Sequence, residues 1–94
     1  MQIGRNEIES SLVTKGFIRE DTHHRYFYHE IQGKMSGIFT YTSHGSHYKT
    51  YRDNLLKQIK KQLRLDTMSQ LTDLLKCPMT GEDYADFLKK KGLI

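Results

Sequence analysis

Three scarcities narrow what this 94-residue chain can be: it has one cysteine, one proline and no tryptophan. A lone Cys77 excludes an intrachain disulfide and any CxxC metal knuckle, and reads as a structural or inert thiol. No apolar run approaches the roughly 20 residues that span a bilayer, so no membrane partner is expected. The opening "MQIGRNEIES" lacks the apolar stretch of a signal peptide, which points to the cytoplasm. The chain also holds no internal repeat, glycine-rich phosphate loop, GxSxG, HExxH or paired-carboxylate pattern. Its length suits one domain over residues 1–94 and is too short for two.

Hydrophobic residues make up 36% of the chain and charged residues 28%, a globular balance rather than a disordered one. "NEIESSLVTKGF" predicts a first helix, with Ile8, Leu12 and Val13 at helical spacing, Asn6 as N-cap and Gly16 at the C-terminal cap. A strand begins at Phe17. Residues 23–30 and Ile38–Thr42 read as two more strands, joined by a hairpin in which Gly33 takes positive φ. After the "SHGSH" loop the period turns helical. Leu55, Leu56, Ile59 and Leu63 line one face of a helix over 51–63. Leu71, Leu74 and Leu75 mark another, capped by Asp66 or Thr67 and stopped before Pro78. Thr80 and Asp83 open a last helix that ends at Gly92. The expected order is α-β-β-β-α-α-α, an α+β domain with a three-stranded antiparallel meander.

Charge is concentrated rather than spread. The net charge is +4, and the pI is near 9.2. Between Lys49 and Arg64, six cations (Lys49, Arg52, Lys57, Lys60, Lys61 and Arg64) face the single anion Asp53, an excess of +5. Lys57, Lys60, Lys61 and Arg64 fall at i, i+3, i+4 and i+7, opposite the leucine face. A stripe of one sign can track a phosphate backbone, each contact releasing condensed counterions. The plainer alternative is a solvated helix face with long basic stems.

Five histidines are the other unusual feature. In "DTHHRYFYHE", alternation puts His24, Tyr26 and Tyr28 on one face of the strand and His23, Arg25, Phe27 and His29 on the other. His44 and His47 follow in the loop after the third strand. Glu20, Asp21 and Glu30 show no ligand register with these imidazoles, so no metal or other cofactor is expected. Imidazole titrates near neutral pH, so a histidine can take a proton from a ribose 2′-hydroxyl and return it, with Lys or Arg stabilising the developing charge. We expect the aromatics mainly in the core, with one tyrosine free to stack on an unpaired base.

"KGFIREDTHHRYFYH" followed by "GKMSGIFTYTSHG" resembles the HicA toxins, mRNA interferases of type II toxin–antitoxin modules. Their pattern is a first helix, a Lys-Asn-Gly turn ending in Trp or Phe, a strand, then Gly-Ser-His running into an aromatic strand. Lys15, Gly16 and Phe17 match the turn. His24 matches the histidine best, followed by Arg25, Tyr26 and Phe27; His23 matches if Thr22 stands at the serine position. The Gly-Ser itself is absent. The resemblance covers residues 6 to 63, and "SHGS", "QLRL" and "CPMT" fit longer HicA-like proteins.

The resemblance implies a double-stranded-RNA-binding-domain-like core over 1–64 with a helical extension over 65–94. It implies a metal-independent endoribonuclease acting on mRNA, with His24 or His23 catalytic and His44, beside Ser43, joining them. Arg25 and the basic residues from Lys49 to Arg64 would then contact the RNA, and a HicB-like antitoxin would be the protein partner. The rival reading is a non-catalytic binder of nucleic acid or protein on the same fold, such as a mobile-element-encoded inhibitor of a nucleic-acid-processing enzyme.

Overall fold

A short strand, β1 (Gln2–Gly4), leads directly into α1 (Arg5–Thr14). Then β2 (Phe17–Asp21), β3 (Arg25–Ile31) and β4 (Lys34–Thr42) form an antiparallel sheet in that order. A last strand, β5 (Thr50–Arg52), precedes α2 (Asp53–Gln62), α3 (Met68–Lys76) and α4 (Gly81–Lys90). This computed structural model describes residues 2–43, 45, 49–76 and 78–94. The α+β class and the three-stranded meander are as expected from sequence. Among the described residues, no helix is long and apolar enough to cross a membrane.

Two corrections concern short elements. β1 and β5 pair with each other, Ile3 opposite Tyr51, in a separate two-stranded sheet. Tyr51 therefore belongs to a strand rather than to the first turn of the following helix. The same pairing starts α1 at Arg5 with Gly4 as its N-cap, ahead of Asn6. The Arg5 N–H donates to the Lys49 carbonyl at 2.8 Å, and its guanidinium reaches the Ser43 carbonyl at 2.7 Å. The first of these bonds gives the leading N–H of the helix an acceptor, while the N-cap itself supplies no side-chain bond.

The helix ends follow local rules. Thr67 Oγ1 accepts from Gln70 N at 3.1 Å while Gln70 Oε1 accepts from Thr67 N at 3.1 Å, a reciprocal cap for α3. Thr80 and Asp83 do the same for α4. At the far end of α4, Gly92 takes φ 73°, and the Leu93 N–H donates to the Leu88 carbonyl at 3.0 Å. The end of α2 closes in the same way on a non-glycine residue: Arg64 sits at φ 63°, with Leu65 N–H on the Lys60 carbonyl. Arg64 is therefore past the helix, not the last member of its stripe.

One cluster of buried side chains joins the four helices to the inner face of the meander. Ile8 and Leu12 of α1, Leu56 and Ile59 of α2, Leu71, Leu74 and Leu75 of α3, and Tyr84 and Leu88 of α4 surround Phe27 and Ile38. The segment after residue 64 thus shares the core of the first part. Tyr84 ties the two together through its hydroxyl, which donates to the Leu63 carbonyl at 2.7 Å.

Candidate nucleic-acid interface and histidine site

Alternation along β3 decides what the outer face of the sheet presents. Phe27 and His29 are buried beneath the helices, while Tyr26 and Tyr28 point the other way. The register sets Tyr26 opposite Tyr41 and Tyr28 opposite Phe39, so four aromatic rings occupy adjacent positions on the uncovered face. Of the Tyr-Phe-Tyr run only Phe27 belongs to the core, which corrects the expectation that these aromatics are mainly buried. Hydroxyls explain the division: a tyrosine on an open face keeps its O–H in water, whereas a buried one needs a partner.

Both candidate imidazoles join this cluster. The His24 ring stacks on Tyr41, with centroids 5.0 Å apart and planes 27° from parallel. His23 lies 4.9 Å from His24 and meets the edge of Tyr26 at 6.0 Å. Alternation had assigned the two histidines to opposite faces. It fails because β3 starts only at Arg25. Residues 22–24 form the turn, closed by a Thr22 N–H bond to the His24 carbonyl at 2.8 Å. Among the described residues, His24 Nδ1 is buried without a hydrogen-bond partner.

The cationic helix borders the same cluster. Gln58 of α2 donates from Nε2 to the Tyr41 hydroxyl at 3.0 Å. Tyr41 thus stands between the His24 ring and α2. Lys57 and Lys61, four residues apart, share one stripe of α2 next to Gln58. With Asn54 and Lys60 they line a shallow recess of about 320 Å³. Among the described residues, no carboxylate pairs with Lys57, Lys60 or Lys61. Their charges are available to an anionic partner.

Other expected site residues lie elsewhere. Arg25 points inward, where its Nη1 contacts both carboxylate oxygens of Glu9 at 2.9 and 3.0 Å. Its charge is already matched, which takes it out of the set of cations facing a phosphate. Lys49 and Arg52 are exposed beside and within β5, and Arg64 is exposed beyond the end of α2. None of these three touches the aromatic cluster. His44, expected to join the site, lies outside the described residues, as do His47 and Cys77.

One histidine assigned no role occupies the core. His29 packs against Phe17 and Tyr84, each with centroids 5.1 Å away. Ser36 meets its Nδ1 at 2.8 Å. The contact exists because a bulge interrupts the ladder between Tyr28 and Glu30 and brings Ser36 back over the ring. Burial pushes the His29 pKa down, since the charged form has lost its water. The alternation that put His29 beside Phe27 was the available signal.

No family model, curated protein or solved structure matches this chain.

Proposed function

We propose that the chain is a metal-independent endoribonuclease of the HicA-like kind, a toxin acting on mRNA. In this reading the α+β architecture is a double-stranded-RNA-binding-domain-like fold with additional C-terminal helices. A HicB-like antitoxin holds it in check, and it works in the cytoplasm. The observation that carries the reading is the Tyr41 bridge: an imidazole stacked on its ring, and a glutamine of the lysine-rich helix bonded to its hydroxyl. A phosphodiester laid across Tyr41 would lie within reach of both base and cation.

In the proposed reaction, His24 Nε2 takes the proton of the 2′-hydroxyl, and the oxygen attacks the adjacent phosphorus. The bond to the 5′ oxygen breaks, and that oxygen receives a proton from the neighbouring His23 imidazole. The products are a 2′,3′-cyclic phosphate and a 5′-hydroxyl. Lys57 and Lys61 stabilise the charge gathering on the phosphoryl oxygens. Positioned acid–base groups of this type contribute about 10² to 10⁴ in rate.

The test is incubation of end-labelled RNA with the purified protein in EDTA. The wild-type chain should release cyclic-phosphate ends. His24→Ala should slow cleavage by about 10²-fold or more while leaving the circular-dichroism spectrum unchanged. Wild-type rates from a chain with both His23→Ala and His24→Ala would end the proposal. A second reading, a non-catalytic binder, is favoured by the bare His24 Nδ1, since catalytic imidazoles are ordinarily oriented by a hydrogen bond to the other nitrogen. Binding that weakens steeply with salt, with no cleavage by the wild-type chain, selects that reading.

A further inference from the structure

The uncovered face of the sheet extends well past the two histidines. Phe39 is 43% exposed, Met35 56% and Ile18 37%, and all three lie on the same side as Tyr28. A sheet face turned to water ordinarily alternates polar side chains into these positions. Here the rings continue instead, Tyr28 lying 5.7 Å from Phe39 and 5.9 Å from Tyr26. Charge around the rings is arranged unevenly. The anions of this face are Glu20, opposite Tyr26 on β2, and Glu30, opposite Met35 near the hairpin. β4 carries no carboxylate and packs beside α2, whose Gln58, the neighbour of Lys57 in the chain, bonds the Tyr41 hydroxyl.

Flat apolar rings beside a cationic border match one type of ligand. Single-stranded nucleic acid offers unstacked base faces together with a charged backbone. A duplex hides the same faces inside its own stack. The carboxylate on the β2 side and the lysines on the β4 side orient such a strand, with phosphates along α2 and bases turned onto the sheet.

We propose that this face is a subsite for single-stranded RNA, in which unpaired bases stack on Phe39 and Tyr28 while Lys57 and Lys61 hold the flanking phosphates. The placement of the cleaved bond near His24 rests on the ribonuclease reading; the stacking subsite does not require it. Selectivity for unpaired RNA follows, although the overall fold is of the kind proposed above to resemble a duplex binder.

The experiment uses the full chain and a fluorescein-labelled 2′-O-methyl RNA dodecamer, which has no 2′-hydroxyl to attack. Anisotropy is measured for the single strand and for its duplex with a complement. The single strand should bind at least about tenfold more tightly than the duplex. Phe39→Ala and Tyr28→Ala should each weaken single-strand binding by roughly 5- to 100-fold, and leave duplex binding unchanged. Phe39→Leu keeps most of the apolar area, so it isolates the ring and should weaken single-strand binding as well. With no tryptophan in the chain, quenching of tyrosine emission reports stacking directly.

Duplex binding as tight as single-strand binding, or affinity indifferent to both Phe39 variants, overturns the subsite. So does self-association through this face that Phe39→Ala abolishes and the oligonucleotide does not compete. Because the probe cannot be cleaved, an active nuclease with indifferent rings sinks this inference alone. Ring-dependent binding by a chain that never cleaves RNA sinks the nuclease reading alone.

Discussion

Replacing Arg25 by Met separates a structural cation from an RNA-contacting one. Glu9 is 6% exposed, and its carboxylate rests on Arg25 Nη1 and on the Thr42 hydroxyl, the latter at 2.7 Å. Arg25→Met keeps the length of the stem and leaves that carboxylate with Thr42 alone. Breaking a fully buried ion pair from one side costs about 3–5 kcal/mol. The Arg25 side chain is 22% exposed, so water can approach the vacated position; this lowers the expected loss to about 2–3 kcal/mol. For a domain of this size that corresponds to a fall in Tm of roughly 10–20 °C.

The reverse change, Glu9→Gln, should cost less, about 1–2 kcal/mol, because the amide oxygen still accepts and the guanidinium keeps its partial hydration. The double variant should lose less than the sum of the two, with a coupling on the order of 1 kcal/mol. Urea denaturation followed by circular dichroism measures all three. A salt titration of RNA binding supplies the contrast, since losing one phosphate contact flattens the logarithmic salt slope by about 0.7 for a single strand. Arg25→Met should leave that slope unchanged. Stability within 0.5 kcal/mol of wild type, combined with a flattened slope, would refute the inward-facing ion pair.

Three further expectations follow from other parts of the molecule. Lys57→Gln and Lys61→Gln should each flatten the salt slope by about 0.7 and leave the urea midpoint in place; steeper slopes or unfolding would contradict their assignment as free cations. His29 has a lowered pKa in the fold, so below about pH 6.5 the unfolded chain binds a proton that the folded chain lacks. Its stability is therefore complete above that pH and falls as the pH drops towards the lowered value. His29→Gln should lose less stability than wild type between pH 7.5 and 5.5, and an identical loss in both proteins would remove His29 as the cause. Gly81→Ala should destabilise by about 1–3 kcal/mol, although alanine favours helices, because its Cβ would stand 2.8 Å from the Lys15 carbonyl oxygen. A raised Tm would show that this backbone contact yields.

What could be read from the chain was local. The Thr80–Asp83 cap, a cap at Thr67 (one of the two residues expected there), the Gly33 turn and the leucine periods of α2 and α3 each lie within a few residues and are realised. β1 and β5 were not legible. Each has three residues, too short for alternation to register, and their partners lie about fifty positions apart. Tyr51 also stands four residues before Leu55, which mimics a helical period. Arg25 misled for a related reason: its counter-charge, Glu9, sits 16 residues upstream on α1. A cation next to two histidines looks unpaired until the helix is folded over the sheet.

The histidine pair shows where a two-residue period stops being informative. Alternation holds along β3 because each rung of the ladder fixes the pleat, and its last rung joins Arg25 to Asp21 and Thr42. Beyond it the chain turns, and the Thr22–His24 bond sets the direction of both side chains in place of the pleat. Two imidazoles that alternation would separate therefore share one aromatic surface, 4.9 Å apart. Shifting the turn by one residue would return them to opposite faces and leave only one beside Tyr41. The chemistry available at this end of the sheet is thus set by the length of the turn as much as by the identity of the residues in it.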